Sequence, residues 1–231
     1  MGVLRRRRQM SGCFITFEGI EKSGKTTQAK LLAERLKAEG YQVLLTHEPG
    51  GTPIGEDIRA VVLNIIHSEM CPLAELFLFM ASRAQHVEEV VRPHLDRGGV
   101  VLCDRFSDST LAYQGYGRGI PLNTIEELNR IAVSGCQPDL TILLDIPIEV
   151  WFEREGRMSS VPDRIENDRG PAQLSLFRVE FPDKVREGFL RLAESHGDRI
   201  HVIDGSKDIE ENERAIYPIV KERLAGLKMG R

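Results

Sequence analysis

Cys13-Phe-Ile-Thr-Phe-Glu-Gly-Ile-Glu-Lys-Ser-Gly-Lys-Thr26 is the stretch on which the fold turns. Its opening residues, Cys13 to Phe17, form a short continuous apolar run, as a strand buried on both faces of a parallel sheet would. Gly19, Ile20, Glu21, Lys22, Ser23, Gly24, Lys25 and Thr26 follow at once and match G-x-x-x-x-G-K-[ST]. Ala29, Leu32, Ala33 and Leu36 then recur at helical spacing, and Gly40 closes that helix. Strand, glycine-rich loop and helix in this order is the context the motif requires. The glycines let the loop wrap round phosphates, and backbone N–H groups at the helix N-terminus point at anionic oxygen. Gly19 to Thr27 is thus read as a nucleoside triphosphate site, with Lys25 bridging the β- and γ-phosphates and the Thr26 hydroxyl on Mg²⁺.

Four more short apolar runs lie downstream, Val43 to Leu45, Val100 to Cys103, Thr141 to Asp145 and Ile200 to Ile203. Helical patterns separate them at Leu73 to Leu95, Leu122 to Val133, Glu180 to Ala193 and Ile209 to Leu224. Pro93 is expected to end or kink the first of these and Pro218 to kink or break the last. The alternation predicts an α/β fold, a three-layer arrangement with a five-stranded parallel sheet between helices. No repeat or linker divides the chain, so a single domain over 12–231 is expected, preceded by a basic arm over 1–11. Residues 154–169, REGRMSSVPDRIENDR, break the pattern with four arginines and little apolar periodicity. They read as an exposed loop or as a phosphate-facing lid over about 153–170, since arginine supplies fixed charge and planar donors for phosphate oxygens.

Composition narrows the function. The 231 residues carry 31 basic and 35 acidic side chains, and Arg5 to Arg8 account for four of the basic ones, so the body is more acidic than the total suggests. That is unlike the basic face of a duplex-DNA binder, so no nucleic-acid partner is expected. The longest apolar runs are about five residues, against roughly 20 for a membrane-spanning helix. No signal peptide is legible, and the cytoplasm is the default. Cys13, Cys71, Cys103 and Cys136 form no C-x-x-C pair and the histidines no H-E-x-x-H, which disfavours zinc. Cys13 and Cys103 read as reduced core residues.

Two strands end in an aspartate that could face the metal, Asp104 and Asp145. Asp104 is favoured because Arg105 follows it directly, placing a carboxylate and a guanidinium at a strand's carboxyl end, where open α/β sheets bind ligands. A guanine-specific N-K-x-D is absent, and Asp96-Arg-Gly-Gly99 precedes a strand where a switch D-x-x-G should follow one.

In this order and spacing FEGIEKSGKTTQAKLL, HEPGGTPIGEDIR, LFLFMASRAQHV, DRFSDSTLAYQGYGRG, PDLTILLDIP and DRIE resemble the bacterial thymidylate kinases, from about Phe14 to Ile203. The resemblance implies a P-loop kinase, usually homodimeric, that passes the ATP γ-phosphoryl to dTMP with Mg²⁺. It implies that Arg105 holds the acceptor phosphate beside Asp104, that Phe79 stacks on thymine, and that Arg83 donates to its O4. Gln114 would meet the base edge with Ser109 and Thr110 nearby, and Tyr113 would pack under the deoxyribose and exclude a 2′-OH. Glu21 would reach toward the 3′-OH, and Glu48 and Pro49 would wall the pocket. The acceptor phosphate is already anionic, so the transfer needs positioning and neutralisation rather than a general base.

The chain departs from the family in carrying cations both in the loop, Lys22, and in the lid, Arg154, Arg157 and Arg164. The arginine fork favours the lid residues as the stronger partners of the transferred group, with Lys22 assisting. Asn167 to Glu180 is longer than usual, which leaves Arg157, Arg169 and Arg178 unplaced. Three alternatives remain open at this stage. A nucleoside kinase would need a base such as Glu18, a nucleotide switch would hydrolyse without an acceptor, and a nucleic-acid binder would depend on residues 1–10.

Overall fold

The computed structural model describes residues 12–157, 164 and 177–228. The arm over 1–11, Arg169 and all of the segment 158–176 except Arg164 lie outside the described residues, as do the side chains of Arg157 and Arg178. The chain runs β1 (Cys13–Glu18), α1 (Lys25–Ala38), β2 (Val43–His47), α2 (Pro53–Leu63), α3 (Pro72–His86), α4 (Arg92–Asp96) and β3 (Val100–Asp104). It continues through α5 (Ser107–Thr110), α6 (Leu122–Val133), β4 (Leu140–Asp145), α7 (Ile148–Arg157), α8 (Phe177–Ser195), β5 (Ile200–Asp204) and α9 (Ile209–Lys228).

All five expected strands form one parallel sheet in the order β2-β3-β1-β4-β5. Residues alternate across it. Cys13, Ile15 and Phe17 pack with Leu32, Leu36, Ile216 and Val220 beneath α1 and α9. Phe14, Val101 and Cys103 face the opposite way, onto Val87, Val91, Leu95 and Phe106. A sheet apolar on both faces must be covered on both, which gives the three layers. Burial on both faces holds for β1, β3 and β4, whereas the edge strands β2 and β5 stay partly exposed. Register brings His47 beside Asp104 and Asp145 beside Asp204, so the strands' carboxyl ends form one rim.

The two prolines behave differently. A π-helical turn, Val87–Val91, joins α3 to α4 just before Pro93. There Arg92 N–H bonds to Val87 O, five residues back, a wider spacing than the α-helical one directly before a residue that has no N–H to give. Pro218 does not break α9, which runs through it to Lys228. Ile216, Val220 and Leu224 on the core hold the helix together despite one missing hydrogen bond. Among the described residues no helix is long and apolar enough to cross a membrane.

Candidate active site

The loop after β1 is held by close backbone contacts. Gly19 lies at φ +135°, and a Cβ there would stand 2.3 Å from the Leu144 carbonyl oxygen. Gly24, at φ +99°, turns the chain into α1, whose first residue is Lys25. Lys25 is buried, its Nζ donating to Ile20 O at 2.7 Å and to Ser23 Oγ at 3.4 Å. Burial, with the nearby Arg105 guanidinium, pulls its pKa down to about 7 from 10.5. Between those values the folded chain holds fewer protons than the unfolded one, so stability rises with pH across that window. A triphosphate laid against Nζ restores the charge. At pH 8, ATP binding is therefore expected to take up about one proton, and Lys25→Ala to abolish the uptake. Titration calorimetry in two buffers of different ionisation enthalpy reads this directly, and equal heats at pH 8 would contradict it.

Thr26 Oγ1 donates to Asp104 Oδ2. Asp145 is engaged elsewhere, in a bidentate pair with Arg186 at 2.7 and 2.8 Å. The described residues hold no cluster of three His, Cys, Asp or Glu able to bind a metal. A divalent ion beside Thr26 and Asp104 would draw its other ligands from phosphate and water, which suits Mg²⁺ on a triphosphate.

Arg105 is the joint of the site. Its φ of +69° is a left-handed conformation that a residue with a Cβ adopts rarely, and then where the surroundings enforce it. Its N–H donates to Phe17 O at 2.9 Å, and its guanidinium reaches Gly19 O at 3.1 Å and Ser109 Oγ at 3.4 Å, over the Tyr113 ring. Beneath it Glu18 accepts from Phe106 N–H at 2.8 Å and from Ser109 Oγ at 2.5 Å. Burial first, and then Asp108, raise the Glu18 carboxyl to about 7. Fully buried and spent on these two donors, Glu18 is a brace for the Asp104-Arg105-Phe106 turn.

Two clefts meet at Arg105. One, of about 1210 Å³, is lined by Glu21, Lys22, Lys25, Thr26, His47 and Asp104 among others. The second, of about 600 Å³, is lined by Phe79, Arg83, Ser109, Thr110, Tyr113 and Gln114, with Pro49 and Leu63 at its wall. Glu21, Glu48, Arg59 and Arg105 belong to both. Every residue that the resemblance implied for the acceptor thus lines the second cleft, and Arg59, Leu63 and Phe106 join them. Glu48 orders one wall. It accepts from Arg83 Nε at 2.8 Å and pairs with His86 Nδ1 at 2.9 Å, whose Nε2 meets Thr46 Oγ1 at 2.7 Å. Thr52 Oγ1 caps α2 at Gly55 N–H, and Arg59 on that helix donates to Pro49 O at 2.8 Å.

The expected cations divide. Lys22 lines the first cleft with Nζ 5.4 Å from the Trp151 ring centroid. Arg154 and Arg164, expected at the transferred phosphoryl group, line neither cleft. Arg154 grips backbone, donating to Lys22 O at 2.8 Å and Gly205 O at 2.9 Å. Arg164 is buried against Val62 O at 2.9 Å and Glu75 Oε2 at 2.6 Å, where it neutralises a buried acid. Ile20 is a core residue and Thr27 an exposed one. Sequence reading missed Arg59 and Glu75. Arg59 sits in the quoted HEPGGTPIGEDIR block, and Glu75 stands one turn before Phe79.

A loop of this kind between β1 and α1, an Asp at the end of the adjacent strand β3 and a second cleft sharing an arginine define a P-loop nucleotide-binding protein with room for a second ligand. Residues 17–216 match the family model described as Thymidylate kinase. A thymidylate kinase of Geotalea daltonii is 50% identical over 216 residues, covering 93% of this chain and 99% of the relative. One of Pelotomaculum thermopropionicum is 50% identical over 198 residues, covering 86% of this chain and 88% of the relative. The crystal structure of thymidylate kinase from Ehrlichia chaffeensis superposes with a TM-score of 0.72 at 35% identity, covering 91% of this chain and 98% of that one. The chain belongs to the thymidylate kinase family.

Proposed function

We propose that this chain phosphorylates dTMP to dTDP with ATP, the first cleft taking the triphosphate end of ATP and the second taking dTMP. The observation that carries the reading is Arg105, a guanidinium shared by both clefts and tied to the Gly19 carbonyl of the loop. An oxygen of the dTMP phosphate attacks the γ-phosphorus, that P–O bond forms as the bond to the β,γ-bridging oxygen breaks, and ADP leaves. The nucleophile is already anionic and needs no base. Lys25 balances charge on the β- and γ-phosphates, and Arg105 holds the acceptor phosphate in line. Lys22 adds a cation, while Arg154 fixes the loop carrying it. Mg²⁺, held by the Thr26 hydroxyl and Asp104 together with phosphate oxygens, would neutralise further charge there.

The second cleft suits a pyrimidine. Phe79 offers a face for stacking, Arg83 and Gln114 offer polar groups to the base edge, and Tyr113 narrows the sugar end. A nucleoside kinase reading would need Glu18 as base, but its carboxylate is occupied by Phe106 N–H and Ser109 Oγ. The test is ADP release from ATP and Mg²⁺ with dTMP, dUMP, dCMP, AMP, GMP, UMP or thymidine in turn. Strong stimulation by dTMP, weaker by dUMP and negligible by the others supports the proposal. Turnover indifferent to the acceptor would sink it.

We further read the protein as a cytoplasmic homodimer, as its family implies. Ile54 and Val61 on α2, Ile65 and Ile66 after it, and Leu73 and Phe77 on α3 are between 42% and 70% exposed. Helices α2 and α3 pack side by side, so these residues give an apolar surface that a second copy would cover. Phe77→Glu is expected to shift the sedimentation coefficient from dimer to monomer, and an unchanged dimer would contradict this surface.

A further inference from the structure

Gln114 lines the second cleft yet is almost fully buried, and its Nε2 donates to Glu75 Oε1 at 2.7 Å. Glu75 receives two guanidinium groups as well. Arg164 Nη2 stands 2.6 Å from Oε2, and Arg118 lies 3.4 Å from Oε1 and 3.3 Å from Oε2. A carboxylate so paired only accepts hydrogen bonds. The amide of Gln114 therefore has one allowed orientation, nitrogen toward Glu75 and carbonyl oxygen left to the cleft.

Arg83 is fixed in the same manner. Glu48 takes its Nε, and Thr110 and Asn129 take Nη1 at 2.9 and 2.6 Å, so Nη2 is the donor left for a ligand. Glu75 and Arg83 are eight residues apart on α3 with Phe79 between them, three positions on one helical face. The cleft thus shows a base edge one acceptor, from Gln114, and one donor, from Arg83. Thymine and uracil match this pair with N3–H and O4. Cytosine opposes it at both points, with a lone pair at N3 and an amino group at C4.

We infer that Glu75 is a positioning residue for base choice, locking the Gln114 carbonyl toward the base so that pyrimidines bearing N3–H are accepted and cytosine is refused. This rests on reading the second cleft as the dTMP site.

Glu75→Gln is the test, because glutamine can donate or accept and so frees the Gln114 amide to turn over. The ratio of kcat/KM for dTMP over dCMP, or of their inhibition constants where dCMP turnover is slow, is expected to fall about tenfold, chiefly through binding. The ratio of dTMP to dUMP should stay unchanged, since those bases share N3–H and O4. A merely structural role would depress all three acceptors alike, and an unchanged dTMP to dCMP ratio would overturn the inference. Failure of the wild-type chain to use dTMP would instead remove the reading of the cleft. If Glu75→Gln folds poorly, the side-chain amide of Gln114 in ¹⁵N-labelled wild-type protein answers the same question. One slowly exchanging N–H that persists when dTMP binds supports the inference, and an amide that reorients on binding contradicts it.

Discussion

Lys25→Ala is expected to lower kcat about a thousandfold while leaving the nucleotide-free protein at least as stable as the wild type. The two effects share one cause. Nζ is buried with only the Ile20 carbonyl and the Ser23 hydroxyl for partners, so the charge is poorly solvated until phosphate oxygens arrive. The ammonium is thus costly in the free protein and useful with its ligand. Because its pKa falls to about 7, the penalty on folding is complete below that pH and fades as pH rises toward 10.5. The variant should accordingly show a higher Tm at pH 6, and its advantage should shrink at pH 9. Thermal melts at both values, beside a turnover assay, check the pair of claims. A variant that melts lower than wild type at pH 6 would show that Lys25 braces the loop.

Arg105→Ala carries the second large effect, a fall of about a hundredfold in kcat/KM for dTMP with little change in KM for ATP. A guanidinium lining both clefts is placed to hold an acceptor phosphate, and alanine keeps neither its charge nor its fork. The backbone supplies an internal control. At φ +69° an alanine stays strained and a glycine does not, so Arg105→Gly should be more stable than Arg105→Ala by about 1 kcal/mol. Both variants should be equally impaired toward dTMP. Activity restored in the glycine variant would mean that backbone geometry, not the guanidinium, governs the step.

How much of this was legible in the sequence differs by feature. The five strands were, because a buried parallel strand must be a continuous apolar run and little else in a polar chain looks like one. The loop was, because phosphate chemistry fixes glycine and lysine at set spacings. Asp104 could be favoured over Asp145 from its neighbour Arg105, and the structure explains the difference by pairing Asp145 with Arg186, a partner 41 residues away. Arg154 and Arg164 were legible as charge but not as destination. Arg164 is drawn onto Glu75, 89 residues earlier, and no local pattern reports such a pairing. Glu75 itself looks like an ordinary helix acid in PLAELFLFM until α3 is packed against the Leu111–Gly117 turn that carries Gln114. Pro218 fails as a helix breaker for a related reason, since tertiary packing outweighs a local penalty.

Phosphoryl transfer between the two clefts is tested most directly by following the phosphorus. With [γ-³²P]ATP, Mg²⁺ and dTMP, label should appear in the β-phosphate of dTDP in step with ADP formation, and Lys25→Ala should show almost none. Label released as inorganic phosphate at the same rate with or without dTMP would contradict the account.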